Sequence, residues 1–263
     1  MTSSPLTLTD CGCGPVILLL HAFPCHRHMW REQVEPLVGR GWRVIVPDLP
    51  GFGESPEAVD EPSLTSMAGP VLEALDGIGS FVVGGLSMGG YLAMEVLRQD
   101  PARVAALMLF DTKAGADTEQ ARVGRLGIAD RVEAEGRTGF LVPEMIANLL
   151  GDTTRETRPD LVARVSRWIT SARPGAVAWA QRAMASRPDS RPDLAEYEGP
   201  ALVVYGDQDT ISPRADATEM AGLLRNSRLE TIADSGHLSA VERPDAVSDV
   251  IEGFVGPLRA RLA

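Results

Sequence analysis

One serine of this chain lies in a sequence context that can make its hydroxyl group reactive. Ser87 is the central residue of Gly85-Leu86-Ser87-Met88-Gly89, which fits the pattern G-x-S-x-G. The apolar run 81–84 before it predicts a buried strand, and the helical spacing of apolar residues in 91–98 predicts a helix after it. On such a tight turn, side chains in place of Gly85 and Gly89 would collide with neighbouring elements. The turn would hold the hydroxyl group at a helix N-terminus, where a developing negative charge is stabilised.

A serine nucleophile needs a base, and the base needs an acid that fixes its tautomer. Among the four histidines, His237 follows the last predicted strand, 228–232, and Asp209 follows the preceding one, 200–205. Loops at the carboxyl ends of strands in an open α/β sheet meet at one edge, which is also the edge of Ser87. The order Ser87, Asp209, His237 is the one expected for this architecture. The sequence therefore predicts these three residues as catalytic.

Other residues remain as alternatives for these roles. Asp207 and Asp111 are carboxylates at the same predicted edge and compete with Asp209 for the role of the acid. His237 could instead be an ordinary surface-loop histidine. His21, after the predicted strand 16–20, fits a structural hydrogen-bonding residue better than a second base.

Two backbone N–H groups are expected to bind the oxyanion that forms when Ser87 attacks a carbonyl. One is that of Met88, directly after the nucleophile. The other should come from the loop His21-Ala22-Phe23-Pro24, where Phe23 is our choice because Pro24 has no N–H group.

The elements that must position these residues alternate in the first half of the chain. Strands are predicted at 6–9, 16–20, 42–46, 81–84 and 104–110, with helices at 29–38, 64–75 and 91–98 between them. This alternation indicates a mostly parallel open sheet with helices on both faces, an α/β fold. Strands resume at 200–205 and 228–232, before a helix at 244–254.

The alternation is interrupted by a segment that contains no predicted strand. Helical patterns occur at 123–135, 143–149, 160–170 and 176–185, separated by breaks that contain Gly or Pro. We therefore expect a catalytic domain formed by residues 1–111 and 197–263, with a helical cap, residues 112–196, inserted late in the sheet.

Composition excludes several classes of function. A net charge of −11 argues against a nucleic acid or an anionic membrane as partner. Three cysteines are too few for a disulfide framework, and together with the lack of a secretory signal they favour a cytoplasmic protein. A monomer and a homo-oligomer are both compatible with the sequence. Cysteines 11, 13 and 25 and histidines 26 and 28 cluster without the spacing of a zinc site, and no nucleotide-binding glycine motif is present. No metal and no cofactor are expected.

Taken together, the motifs resemble those of the α/β-hydrolase fold family. The matching segments are 21–24, Asp48-Leu49-Pro50-Gly51-Phe52-Gly53-Glu54-Ser55, 85–90, Gly206-Asp207-Gln208-Asp209 and Gly236-His237. Gly-Leu-Ser-Met-Gly-Gly with a cap of this size is similar to 3-oxoadipate enol-lactonases and small carboxylesterases. Two departures are Ala22, where the family often has glycine, and an N-terminal part with room for two strands before His21 instead of three.

The resemblance implies a serine hydrolase that cleaves the carboxylic ester or lactone of a small, largely apolar substrate. A cofactor-free perhydrolase or haloperoxidase and a C–C bond hydrolase use the same triad. A ligand-binding protein on this fold is the alternative from a different class, and an intact set of Ser87, Asp209 and His237 argues against it.

The predicted cap supplies candidates for substrate contact. Apolar residues there could line a pocket or could be helix-packing core; they are Phe140, Met145, Trp168, Trp179 and Met184. Arg122, Arg125 and Arg131 follow helical spacing, and a carboxylate substrate would need one of them to face the pocket. A solvated helix face is the alternative for all three.

Overall fold

A computed structural model describes residues 5–262. Within this range the apolar runs form seven strands, most of them buried on both faces. The strands are β1 (Leu8–Cys11), β2 (Val16–Leu20), β3 (Arg43–Pro47), β4 (Phe81–Leu86), β5 (Val104–Phe110), β6 (Ala201–Gly206) and β7 (Ser227–Ile232). The predicted strands are therefore present, with the first shifted by two residues towards the C-terminus.

The strands form one sheet in the order β1-β3-β2-β4-β5-β6-β7. Only β1 is antiparallel to its neighbour, β3, and the other pairs are parallel. The predicted α/β fold with a mostly parallel open sheet is confirmed. Because the six strands β2 to β7 are mutually parallel, their carboxyl ends lie at one edge, which we call the strand-end edge.

Helices connect and cover these strands. In chain order they are α1 (Arg31–Gly39), α2 (Leu64–Glu73), α3 (Met88–Gln99), α4 (Glu119–Glu135), α5 (Val142–Leu149), α6 (Asp152–Thr157), α7 (Pro159–Ser171), α8 (Pro174–Ala185), α9 (Arg191–Glu196), α10 (Arg214–Leu223), α11 (Ser239–Glu242), α12 (Pro244–Val255) and α13 (Arg259–Leu262).

The six helices α4 to α9 all lie between β5 and β6, in the segment predicted as a cap. We call residues 112–196 the helical insert. Within it, α4 packs along α8, while α7 packs against α5 and α6. The last helix, α9, instead contacts α3 and α10 beside the sheet. Treating the insert as a separate cap domain remains our proposal.

No helix within residues 5–262 combines the length and the apolar character needed to cross a lipid bilayer.

Candidate active site

The turn that carries Ser87 joins β4 to α3 with a strained backbone. Ser87 has φ 55° and ψ −114°, which a residue with a side chain rarely adopts. A Cβ atom on Gly85 would lie 1.9 Å from the carbonyl oxygen of Gly89, and one on Gly89 would lie 2.2 Å from that of Leu20 in β2. Only glycine fits at either position, so the two glycines permit the turn.

A continuous chain of hydrogen bonds links Ser87 to His237 and Asp209. The Ser87 Oγ lies 2.7 Å from His237 Nε2, and His237 Nδ1 lies 2.8 Å from Asp209 Oδ2. A carboxylate accepts hydrogen bonds, so the Nδ1–H group donates to it and Nε2 is free to accept the serine proton. The structure thus brings the three predicted catalytic residues together at the strand-end edge.

Asp209 is held in place by its own loop. Its Oδ1 accepts hydrogen bonds from the backbone N–H groups of Ile211 at 2.8 Å and Ser212 at 3.1 Å, which leaves Oδ2 for His237. Burial would raise the pKa of Asp209, but His237 and these two amides outweigh it and hold the pKa below its usual value. Asp209 is therefore suited to remain an anion beside the imidazole.

The two rival carboxylates have other contacts. Asp207 is exposed and accepts a hydrogen bond from the N–H group of Ser235 at 3.3 Å. Asp111, directly after β5, is buried and accepts hydrogen bonds from the N–H of Gly206 at 2.8 Å and the hydroxyl of Ser239 at 2.5 Å. Burial and the nearby charge of Asp209 raise the pKa of Asp111 well above its usual value. Asp111 thus connects three strand-end loops without contacting the imidazole.

His21 has the contacts of a structural residue. Its Nε2 accepts a hydrogen bond from the N–H group of Leu49 at 2.9 Å, so Nδ1 carries the proton and donates to the carbonyl of Ala22 at 2.9 Å. Complete burial lowers the pKa of His21 to about 4. The imidazole therefore stays neutral and joins the loop after β2 to the loop after β3.

Both predicted oxyanion donors lack an internal acceptor. Within residues 5–262, neither the N–H group of Phe23 nor that of Met88 donates a hydrogen bond to the protein. Met88 is the first residue of α3, where N–H groups have no partner inside the helix. Phe23 and Ser87 line one cavity, so both loops border the same space. The arrangement can accept a negatively charged oxygen next to the serine hydroxyl.

That cavity, about 170 Å³ in volume, lies between the strand-end edge and the helical insert. Its wall is mostly apolar, with four polar insert side chains. The lining residues are Phe23, Ser87, Tyr91, Arg125, Ile128, Leu141, Glu144, Met145, Asn148, Leu149, Gln181, Met184, Ile211 and His237. The volume is below the roughly 300–1,000 Å³ of sites for drug-sized ligands, which indicates a small substrate.

Of the five predicted pocket residues, Met145 and Met184 line this cavity and three lie elsewhere. Phe140 packs under the guanidinium group of Arg131, 3.8 Å from its ring centroid. Trp179 donates a hydrogen bond to the carbonyl of Asp60 at 2.8 Å. Trp168 borders a separate cavity beside His26. Trp168 and Trp179 thus pack the insert against the rest of the protein, while Phe140 packs within the insert.

Several lining residues were not predicted from the sequence. Tyr91 follows the elbow by one helical turn on α3, so its place near Ser87 was available from the motif itself. Ile211 follows Asp209 by two residues and could have been found in the same way. Gln181 and Asn148 gave no such signal, because a polar residue on a helix ordinarily faces solvent.

The cysteines and histidines near the N-terminus form no metal centre in the described structure. No group of three or more His, Cys, Asp or Glu side chains within residues 5–262 is arranged to hold a metal ion. Cys11 and Cys13 are exposed, while Cys25 is buried and burial raises the pKa of its thiol to about 12.

Comparison with known proteins agrees with this architecture. Residues 15–244 match the family model for the α/β hydrolase fold. The chain belongs to the α/β hydrolase fold family. The match extends from the start of β2 to the beginning of α12, so it includes the strands that carry Ser87, Asp209 and His237.

Individual members of the family match along nearly their whole length. The structure of a thermophilic esterase from Thermogutta terrifontis, solved with malate bound, is 38% identical, with a TM-score of 0.93 over 97% of this chain and 94% of the other. The enol-lactonase from Burkholderia xenovorans LB400 is 26% identical, with a TM-score of 0.87 over 95% and 96%. The pimeloyl-[acyl-carrier protein] methyl ester esterase of Aromatoleum aromaticum is 28% identical over 92% and 98%. Membership of this family and the names of these relatives support the conclusion that the protein is a hydrolase.

Proposed function

We propose that this protein is a serine hydrolase that cleaves carboxylic esters or lactones of small substrates through an acyl-enzyme. The observation that carries the proposal is the hydrogen-bond chain from Ser87 Oγ through His237 to Asp209, with distances of 2.7 Å and 2.8 Å. Esterases and an enol-lactonase among the matched proteins support the same class of reaction.

In the proposed first step, Ser87 Oγ attacks the carbonyl carbon while His237 Nε2 takes the hydroxyl proton. Asp209 stabilises the imidazolium that forms. The N–H groups of Phe23 and Met88 bind the oxyanion, and removing one such donor typically costs about 10²–10³ in rate. The tetrahedral intermediate then collapses, the C–O bond to the alcohol breaks, and His237 returns the proton to the leaving alkoxide.

In the second step a water molecule attacks the acyl carbon, with His237 as general base. The bond between Ser87 Oγ and the acyl carbon breaks, His237 returns the proton taken from water to Ser87 Oγ, and the carboxylic acid leaves. For a lactone, acid and alcohol leave as one open-chain product. No cofactor takes part in either step.

The proposal is tested with Ser87→Ala, because that change removes the nucleophile. Turnover of p-nitrophenyl acetate should fall to background, while the far-UV circular dichroism spectrum stays that of the wild type. Ser186→Ala is the matched control, since Ser186 is exposed and, among residues 5–262, its hydroxyl bonds only to the carbonyl of Ala183. Full turnover by Ser87→Ala would refute the assignment.

A screen of the wild-type protein with esters, lactones, thioesters and β-diketones then identifies the type of bond that is cleaved. Ester or lactone hydrolysis is the expected activity. Selective β-diketone cleavage would indicate a C–C bond hydrolase, and peracid formation would indicate a perhydrolase. A protein that binds these compounds without turning any of them over would be a binding protein on this fold.

A further inference from the structure

One guanidinium group of the helical insert faces the cavity that contains Ser87. Arg125, on α4, lines this cavity and its side chain is 21% exposed. The other two arginines at helical spacing lie elsewhere. Arg122 is paired with Glu119 at 2.9 Å on the outer surface, and Arg131 lies over the ring of Phe140. Arg125 is thus the arginine of the three that a bound substrate could contact.

The hydrogen bonds of Arg125 fix its position but leave part of it free. Nε donates to Asp117 Oδ2 at 2.6 Å, and Nη1 donates to Gln181 Oε1 at 3.2 Å. Within the described chain, Nη2 forms no hydrogen bond. The oxygen of the Gln181 amide accepts from Arg125, and its NH₂ group donates to no residue among 5–262. Two N–H donor groups on neighbouring side chains are therefore available at the cavity wall.

The charges around Arg125 leave a net positive charge. Asp117 is shared with a second arginine, Arg187, whose Nη1 lies 2.6 Å from Asp117 Oδ1. The guanidinium group of Arg187 also lies 4.2 Å from the ring centroid of Tyr91, which lines the cavity. Two guanidinium groups and one carboxylate carry a charge of +1, since arginine does not lose its proton in proteins. This local charge contrasts with the net −11 of the whole chain.

One acidic side chain opposes this charge at the cavity wall. Glu144, on α5, is exposed and forms no ion pair with Arg125 in the described structure. Because solvent screens an exposed charge, Glu144 weakens the attraction for an anion without cancelling it. Replacing Glu144 by a neutral residue should therefore strengthen the binding of an anion, whereas replacing Arg125 by a neutral residue should weaken it.

We infer that the substrate is an ester or lactone that carries a carboxylate at the end remote from the scissile carbonyl, bound by Arg125 and Gln181. The inference rests on the proposed hydrolase function, and it replaces the largely apolar substrate expected from the sequence with one that is anionic at one end. A guanidinium N–H and an amide N–H match the two acceptor oxygens of a carboxylate. The cavity volume of about 170 Å³ allows only a short spacer between carboxylate and ester. The remote carboxylate passes unchanged through both steps and orients the carbonyl at Ser87.

Arg125 could instead serve only to neutralise the buried carboxylate of Asp117. That role and substrate recognition make different predictions. A structural role would change the stability of the fold and the turnover of all substrates alike. Recognition would change the preference between charged and neutral substrates, so the selectivity ratio is the quantity to measure.

The experiment compares anionic esters with neutral esters of the same shape. Monomethyl glutarate is paired with methyl 5-methylhexanoate, and 4-acetoxybutanoate with 4-methylpentyl acetate, with hydrolysis followed in a pH-stat. The two pairs place the carboxylate on the acyl side and on the alcohol side. The wild type should prefer at least one anionic ester by about tenfold or more in kcat/KM, mainly through KM.

Single-residue variants test whether Arg125 causes the preference for anionic esters. Arg125→Gln should lower the anionic-to-neutral ratio by about 10- to 100-fold, the range for a lost charge-assisted hydrogen bond, and Arg125→Lys should restore part of it. Arg122→Gln, one turn away on the same helix, should leave the ratio unchanged. Glu144→Gln should raise the ratio by about twofold to fivefold. Thermal unfolding of each variant reports whether it is folded.

Calorimetric titration with glutarate separates this inference from the proposed function, because it needs no turnover. Tight binding by the wild type and about 10- to 100-fold weaker binding by Arg125→Gln but not by Arg122→Gln would support the inference even if no ester is cleaved. Hydrolysis of the neutral esters without a preference for either anionic one would overturn it and leave the hydrolase assignment standing. Equal ratios in Arg125→Gln and Arg122→Gln, or no binding of glutarate by the wild type, would also overturn it.

Discussion

The strand-end edge and the cavity face of the helical insert differ in how completely their polar side chains are paired. At the edge, the side chains of Asp111, Asp209 and His21 make all their contacts inside the protein, and glycines fix the backbone around Ser87. On the insert, Arg125 and Gln181 each have an N–H donor group beside the cavity that bonds to none of residues 5–262. The edge therefore holds a fixed geometry suited to chemistry, while the insert offers unpaired groups suited to recognising a substrate.

The largest expected effect concerns the choice of carboxylate at the edge. Asp209→Asn should lower kcat by about 10⁴-fold, because an amide at this position favours the wrong imidazole tautomer. Asp111→Asn should reduce stability more than turnover, since Asp111 bonds to Gly206 and Ser239 and not to the imidazole. Steady-state kinetics with p-nitrophenyl acetate and urea unfolding measure the two effects.

Asp207→Asn, at an exposed position, is the matched control for Asp209→Asn and Asp111→Asn. The turnover of this variant should equal that of the wild type. A fall in kcat for Asp111→Asn as large as that for Asp209→Asn would remove the distinction between the two buried carboxylates.

A second prediction compares a glycine from each region. Gly89→Ala places a methyl group 2.2 Å from the carbonyl oxygen of Leu20, so it should cost about 3 kcal/mol or more in the free energy of unfolding. Gly127→Ala on α4 meets no atom within 4 Å and should instead stabilise the protein by about 0.5–1 kcal/mol. Urea unfolding of both variants measures the difference, and equal effects would show that the elbow is not constrained by packing.

A third prediction concerns the pH dependence of stability, through His21. Its pKa in the folded protein is about 4, below the value of about 6.5 in the unfolded chain, so the unfolded state binds more protons between these pH values. The contribution of His21 to the free energy of unfolding is fully present above pH 6.5. It decreases by roughly 3 kcal/mol as the pH falls from 6.5 to 4.

His21→Gln keeps an acceptor for the N–H group of Leu49 and should flatten the fall in unfolding free energy between pH 6.5 and 4. Ser186→Ala, which changes an exposed residue that does not titrate, is the control and should leave the dependence of the unfolding free energy on pH unchanged. A curve for His21→Gln that is as steep as that of the wild type would assign the acid sensitivity to other groups.

The contrast between the two regions also explains which features were accessible from the sequence. The elbow, the sheet and the order of Ser87, Asp209 and His237 follow from local patterns, because parallel strands bring their carboxyl ends to one edge whatever the details of packing. The collisions at Gly85 and Gly89 are likewise a property of the turn itself. The catalytic roles of these residues remain predictions.

The wall of the cavity could not be predicted in the same way. Helical spacing marks the apolar face of each insert helix but does not say which neighbour that face covers, so Trp168 and Trp179 are packing residues while Met145 and Met184 face the cavity. The short polar helix α6 (Asp152–Thr157) carries no apolar period and was not predicted. The choice of Arg125 over Arg122 depends on the rotation of α4, which only packing determines.

Covalent labelling with a fluorophosphonate shows whether Ser87 is a nucleophile that His237 activates. We expect one adduct per chain, located on Ser87 by peptide mass spectrometry. The adduct should be absent from Ser87→Ala, and its formation should be strongly slowed in His237→Gln. An adduct on a different residue, or ester turnover by a protein whose Ser87 remains unlabelled, would show that Ser87 is not the nucleophile.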